Sequence, residues 1–148
     1  MDIQSDFKDL LALLNKHQVK YLIVGGYALA FHGAPRMTGD LDLLVEASPN
    51  NAQKILKALS EFGFGNVGLN TNDFVQPKKA IQLGIPPVRV DILTSLSGVS
   101  WAQAYTSKEQ GKYGDVSVFY ISRELFLSNK RAIGRKKDEA DVEALGEK

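Results

Sequence analysis

Asp40 and Asp42 stand two residues apart in the run Asp40-Leu41-Asp42-Leu43-Leu44-Val45, where Asp40, Asp42 and Leu44 alternate with Leu41, Leu43 and Val45 at the period of a strand. On such a strand the two carboxylates point to one side, with alpha carbons roughly 7 Å apart, and can converge on cations held between them. A third acid, Asp91, sits in Val88-Arg89-Val90-Asp91-Ile92-Leu93, on the face opposite Val88, Val90 and Ile92. Three carboxylates gathered without partners would destabilise a fold by several kcal/mol, roughly, unless a cation neutralised them. Hard oxygen donors favour Mg2+, with Mn2+ as the substitute, completed by water and substrate phosphates. Two such ions about 4 Å apart would activate an attacking oxygen and stabilise a departing pyrophosphate.

Gly25-Gly26 follows the apolar run Tyr21-Leu22-Ile23-Val24. A strand-to-helix turn without side chains lets backbone N–H groups come close to a triphosphate. Arg36 and Thr38, in the segment leading to Asp40, would add a cation and a hydroxyl to the same site. Each feature has a plainer reading. Gly-Gly is also a sharp turn, Asp91 could pair with Arg89 or Arg36, and Arg36 and Thr38 could be ordinary loop residues.

The segment Gly25-Gly26, thirteen residues, then Asp40-Leu41-Asp42-Leu43 resembles the signature of the DNA polymerase beta-type nucleotidyltransferase superfamily, and Asp91 is similar to that superfamily's third acid. The string GGYALAFHGAPRMTGDLDLLV is most similar to minimal nucleotidyltransferases, including the abortive-infection branch of toxin-antitoxin systems. Lys130, Arg135, Asp138 and Asp141 resemble a K…R..KD..D pattern of that branch, in which the basic residues approach the triphosphate; by composition alone they read as a solvated helix face. The resemblance covers residues 21–45 specifically. It implies Mg-dependent transfer of a nucleoside monophosphate from an NTP to a hydroxyl acceptor: tRNA or other RNA, a protein, or a small molecule. An antitoxin or other partner protein is implied as well, and so is the alternative of a catalytically inactive nucleotide-binding or partner-binding protein of the same fold.

These residues need elements to position them. Ser5 can cap a helix with Phe7, Leu10, Leu11 and Leu14 on one stripe, ending near His17. The spacing predicts strands at 21–24, 40–45, 88–93 and 116–120, and a weaker one at 80–83. A short helix is expected at 27–31. Ser48-Pro49 opens a helix with Ala52, Ile55, Leu56 and Leu59 facing inward, running to about Phe62. Residues 63–72 read as a loop and 101–105 as a short helix; Ser122 caps a helix to about Lys130, and a charged helix spans 135–145. Interleaved but irregular, these elements predict an α+β fold with a mixed sheet and helices mainly on one face.

At 148 residues, with 44% hydrophobic and 24% charged residues, the chain suits one domain, 1–148. A net charge of +1 supplies no global field toward nucleic acid or an anionic membrane. No cysteine is present, which excludes disulfides and thiolate chemistry, and His17 and His32 are too few for a multi-histidine metal site. No apolar run approaches a membrane span and the first residues lack a secretion signal, so a cytoplasmic location is expected.

Overall fold

The computed structural model describes residues 3–34, 39–65 and 67–147; Arg36 and Thr38 lie outside them. Helix α1 (Ser5–Lys16) buries Phe7, Leu10, Leu11 and Leu14, the predicted stripe. Its cap is Gln4 rather than Ser5: the Gln4 side chain accepts from the Asp6 N–H, so the helix opens one residue earlier. Strand β1 (Tyr21–Val24) is buried throughout and runs directly into α2 (Gly25–Phe31), which starts two residues before the expected helix. Strand β2 (Asp40–Val45) and helix α3 (Pro49–Leu59) follow, the latter capped by Ser48 Oγ accepting from Asn51 N–H. The helix stops short of Phe62 because a wider turn over Ser60–Phe64 contains Gly63 at φ 114, a conformation that breaks the α-helical ladder.

A hairpin of β3 (Ala80–Ile85) and β4 (Val88–Leu93) encloses Pro86-Pro87 at its tip. Helix α4 (Trp101–Thr106), strands β5 (Glu109–Tyr113) and β6 (Val116–Tyr120), and helices α5 (Arg123–Ile133) and α6 (Lys136–Ala144) complete the chain. Strand β5 has no counterpart in the expected elements. Its residues Glu-Gln-Gly-Lys-Tyr carry no apolar alternation, and it exists because it pairs along its length with β6. Gly114-Asp115, a two-residue link between the paired Tyr113 and Val116 with Gly114 at φ 63, is the hairpin signal that announces it.

The sheet is six-stranded in the order β3-β4-β2-β1-β6-β5. It is mixed: β2 runs parallel to β4 and β1 to β6, while β1–β2, β3–β4 and β5–β6 are antiparallel. The architecture is therefore α+β with a mixed sheet, as expected. One hydrophobic cluster joins α1, the inner strands and α3, with Leu22, Ile23, Leu41, Leu43 and Ile55 fully enclosed. Asn51 pins the far end of β1 to β2: its Nδ2 donates to Lys20 O and Glu46 O, and its Oδ1 accepts from Lys20 N–H. Among the described residues no helix is long and apolar enough to cross a membrane.

Candidate active site

Leu41 and Leu43 anchor β2 in the core, and the strand's alternation turns Asp40 and Asp42 to the opposite face, where they are half-buried. Parallel pairing with β4 sets Asp42 opposite Asp91 and Asp40 opposite Arg89. Directly opposed residues share a face, so Asp91 stands beside Asp42, the relation that strand parity alone left open. The row continues to Gln82 of β3, opposite Asp91, and to Val24 of β1, opposite Asp42.

Crowding shows in the electrostatics. Burial, then the charges of Asp91 and Asp40, then a hydrogen bond shared with Asp91 push the Asp42 carboxyl up from 3.8 to about 7. Arg89 answers part of that repulsion. Its Nε lies 3.2 Å from Asp91 Oδ1 and 3.6 Å from Asp40 Oδ2, and its Nη2 donates to Asp91 Oδ2 at 3.4 Å. The pairing of Asp91 with Arg89 and the facing of Asp91 to Asp42 thus coexist. Among the described residues no three acids close on a common point as metal ligands, and Arg89 lies against both Asp40 and Asp91. The chemistry of the set nevertheless fits a hard dication: facing carboxyl oxygens whose burial and mutual repulsion, seen in the raised Asp42 carboxyl, a cation would relieve. Asp42 and Asp91, facing each other across β2 and β4, would hold it together with Asp40.

Gly25 begins α2 at φ 68, and a Cβ there would overlap Asp42 Oδ2. Only glycine serves at this position, on both counts. Gly26 is buried in the next position, and no side chain caps the turn.

Facing the acids are the C-terminal helices. A cleft of about 340 Å3 is lined on one side by Gly25, Gly26, Asp42 and Asp91 and on the other by Asn129, Lys130, Arg135 and Lys137. Lys130 is not a solvated helix residue as composition suggested: it is 8% exposed, its ammonium 3.4 Å from Asp138 Oδ1 and 3.2 Å from Asp141 Oδ2, near the Phe126 ring. It also draws the Asp42 carboxyl back toward the ionised form. Gly134, in the left-handed conformation, ends α5 and turns the chain so that Arg135 can fork onto Asp138, Nε to Oδ2 at 2.7 Å and Nη2 to Oδ1 at 3.2 Å. Those bonds, against the cost of burial, hold Asp138 below the usual carboxylate range. Asp138 and Asp141 therefore organise the two cations, which is the physical content of their spacing.

The cleft also contains residues for which the sequence carried no signal. Gln82 and Ala80 enter from β3, Leu93 and Leu96 from the end of β4 and beyond, and Ile133 from α5. Asn129 Nδ2 donates to Ser97 O and ties α5 to that segment. Their place is visible only once register and helix docking are known. His32, at the end of α2, is occupied elsewhere, its Nε2 2.7 Å from Ile121 O.

Several solved structures share this fold at low identity. Lincosamide antibiotic adenylyltransferase LnuA, solved with lincomycin bound, is 15% identical, with a TM-score of 0.56 over 97% of this chain and 96% of its own. A Thermotoga maritima protein assigned as a nucleotidyltransferase is 15% identical with a TM-score of 0.62, covering 96% of this chain and 93% of its own. The antibiotic-resistance factor ANT(2'')-Ia is 12% identical with a TM-score of 0.61, covering 95% and 80%. No curated protein matches the sequence. The family model for aminoglycoside-2''-adenylyltransferase matches residues 6–115, a span that holds both glycines and all three strand aspartates. With that match over most of its length, the chain belongs to the aminoglycoside-2''-adenylyltransferase family of nucleotidyltransferases.

Proposed function

We propose that the protein transfers a nucleoside monophosphate from an NTP to a hydroxyl of a small molecule. The observation that carries this reading is the facing of Asp42 and Asp91 across adjacent strands, on the floor of a cleft whose other wall presents Lys130 and Arg135. A triphosphate brings its negative charge to those cations, while the Gly25-Gly26 turn offers backbone without side-chain obstruction. Asp40, Asp42 and Asp91 would hold Mg2+ or Mn2+, which when bound supplies Lewis-acid stabilisation of charge on the phosphate oxygens. Arg36 and Thr38 are proposed as additional phosphate contacts. In the transfer, the acceptor oxygen forms a bond to the α-phosphorus and the α–β phosphoanhydride bond breaks. Its electron pair leaves on pyrophosphate, and the hydroxyl proton passes to a cleft carboxylate.

The family supports a small-molecule acceptor, as does the fold shared with a lincosamide adenylyltransferase. RNA or protein acceptors and a toxin-antitoxin role rest only on the resemblance of residues 21–45 and of Lys130, Arg135, Asp138 and Asp141. One observation favours the inactive alternative: Arg89 already bridges Asp40 and Asp91. The two readings part in one experiment. Incubation with α-labelled NTPs, Mg2+ and a panel of hydroxylated small molecules should release pyrophosphate and label an acceptor, and Asp42→Asn should lower the rate by about 10²-fold or more. Nucleotide binding by calorimetry without any transfer would instead establish a binding protein.

A further inference from the structure

The charges of the cleft divide cleanly between the parts of the proposed reaction. Asp42 and Asp91 are the only acids in its lining among the described residues, and both face the place proposed for a dication. Lys130, Arg135 and Lys137 are its cations, and they match a triphosphate. What remains beyond Asp91 is the wall on the β3/β4 side, with Ala80, Leu93 and Leu96 and one polar side chain, Gln82; across from it α5 adds Ile133 and Asn129, whose amide is already bonded to Ser97 O. Gln82 sits opposite Asp91 on β3, next in the row Val24, Asp42, Asp91, Gln82, and is exposed to the cleft. The nearest charged residues preceding β3 are Lys78 and Lys79, both exposed cations.

We infer that this wall is the acceptor site and that it takes a neutral, partly apolar hydroxyl compound, oriented by the Gln82 amide, rather than a polycationic aminosugar. The inference rests on the transfer reading above. A polycation needs carboxylates to replace its lost hydration, and the only two here are committed to another cation; beyond them it would meet aliphatic side chains and lysines. A neutral molecule loses little on entering an aliphatic wall, and a primary amide offers both a donor and an acceptor to a hydroxyl-bearing ligand. The position fits the chemistry as well. Gln82 adjoins Asp91 on the side away from Asp42 and the glycine turn, so it lies next to the carboxylates and clear of the place proposed for the triphosphate.

Two measurements test this. First, calorimetry with Mg2+ and α,β-methylene ATP establishes nucleotide binding; its absence would defeat the transfer reading itself, independently of the acceptor. Second, the loaded protein is titrated with chloramphenicol, octyl β-D-glucopyranoside and the polycationic aminoglycoside tobramycin, and transfer from labelled ATP to each is followed. At least one neutral compound should bind and become labelled while tobramycin does neither. Gln82→Ala should raise the KM for that neutral acceptor about tenfold, the scale of one hydrogen bond, with ATP affinity unchanged. Gln82→Glu should gain affinity for tobramycin. Labelling of tobramycin by the wild-type protein, failure of both neutral compounds with nucleotide bound, or equal loss of ATP and acceptor binding in Gln82→Ala would each overturn the assignment.

Discussion

Asp42 is placed where a carboxylate is least comfortable: behind Gly25, beside Asp91 and near Asp40, with the core leucines beneath. Its folded-state pKa of about 7 lies above its ordinary 3.8, so the native protein keeps a proton that the unfolded chain has already lost. The stability this represents is complete below 3.8, declines as pH rises, and is gone above about 7. In EDTA, thermal unfolding from pH 4 to pH 8 should show that decline in the wild type and a flatter profile in Asp42→Asn. At pH 8 the variant should melt about 3–6 °C higher, corresponding to about 1–2 kcal/mol of relieved repulsion and burial. Added Mg2+ should raise the wild-type melting temperature at pH 8, where the carboxylate is free to bind it, and leave Asp42→Asn nearly unmoved. The acid-x-acid spacing was legible because strand periodicity dictates it; the protonation state was not, since it depends on neighbours from β4 and α5 that are far away in the chain.

Helices α5 and α6 form a clamp around Asp138, which is fully buried and bonded to Arg135 and Lys130. Removing one partner of a buried ionic network leaves the others uncompensated, at a cost of about 3–5 kcal/mol. Asp138→Ala should therefore lower the melting temperature by roughly 6–20 °C. Far-ultraviolet circular dichroism and thermal melts would check it. Asp115→Ala removes an exposed pair with Lys8, screened by solvent, and should leave the melting temperature nearly unchanged. Strongly periodic or clearly capped elements such as α1, α3, β2 and β4 were readable from the chain. Strand β5 was not, because a polar edge strand is stabilised by its neighbour and not by its own residues.

For the molecule as a whole, the strand order places β2 and β4 side by side although α3 and the hairpin strand β3 come between them in sequence. That crossover brings Asp91 to Asp42, and the docking of α5 and α6 brings Lys130 and Arg135 across the cleft. A ligand that binds this assembled cleft and not the unfolded chain must stabilise the entire fold. Mg2+ with ATP at a hundred times its Kd should contribute about 2.7 kcal/mol, raising the melting temperature by roughly 5–11 °C. Lys130→Met should retain much less of that shift if the cation contacts phosphate; an undiminished shift would remove Lys130 from the nucleotide site.

By itself, the sequence determined the local grammar: a glycine turn after a buried strand, two carboxylates on one strand face, a third on a later strand, and the class of mixed α+β fold that can carry them. These follow from backbone sterics and from the two periods of regular structure, which act within a few residues. Only the tertiary structure decided that Asp91 opposes Asp42, that Arg89 bridges Asp91 and Asp40, that Lys130 is buried between Asp138 and Asp141, and that Gln82 extends the row toward an apolar wall. Register and helix docking are set by burial of the core summed over the chain, and no local pattern encodes which distant face a given residue will meet.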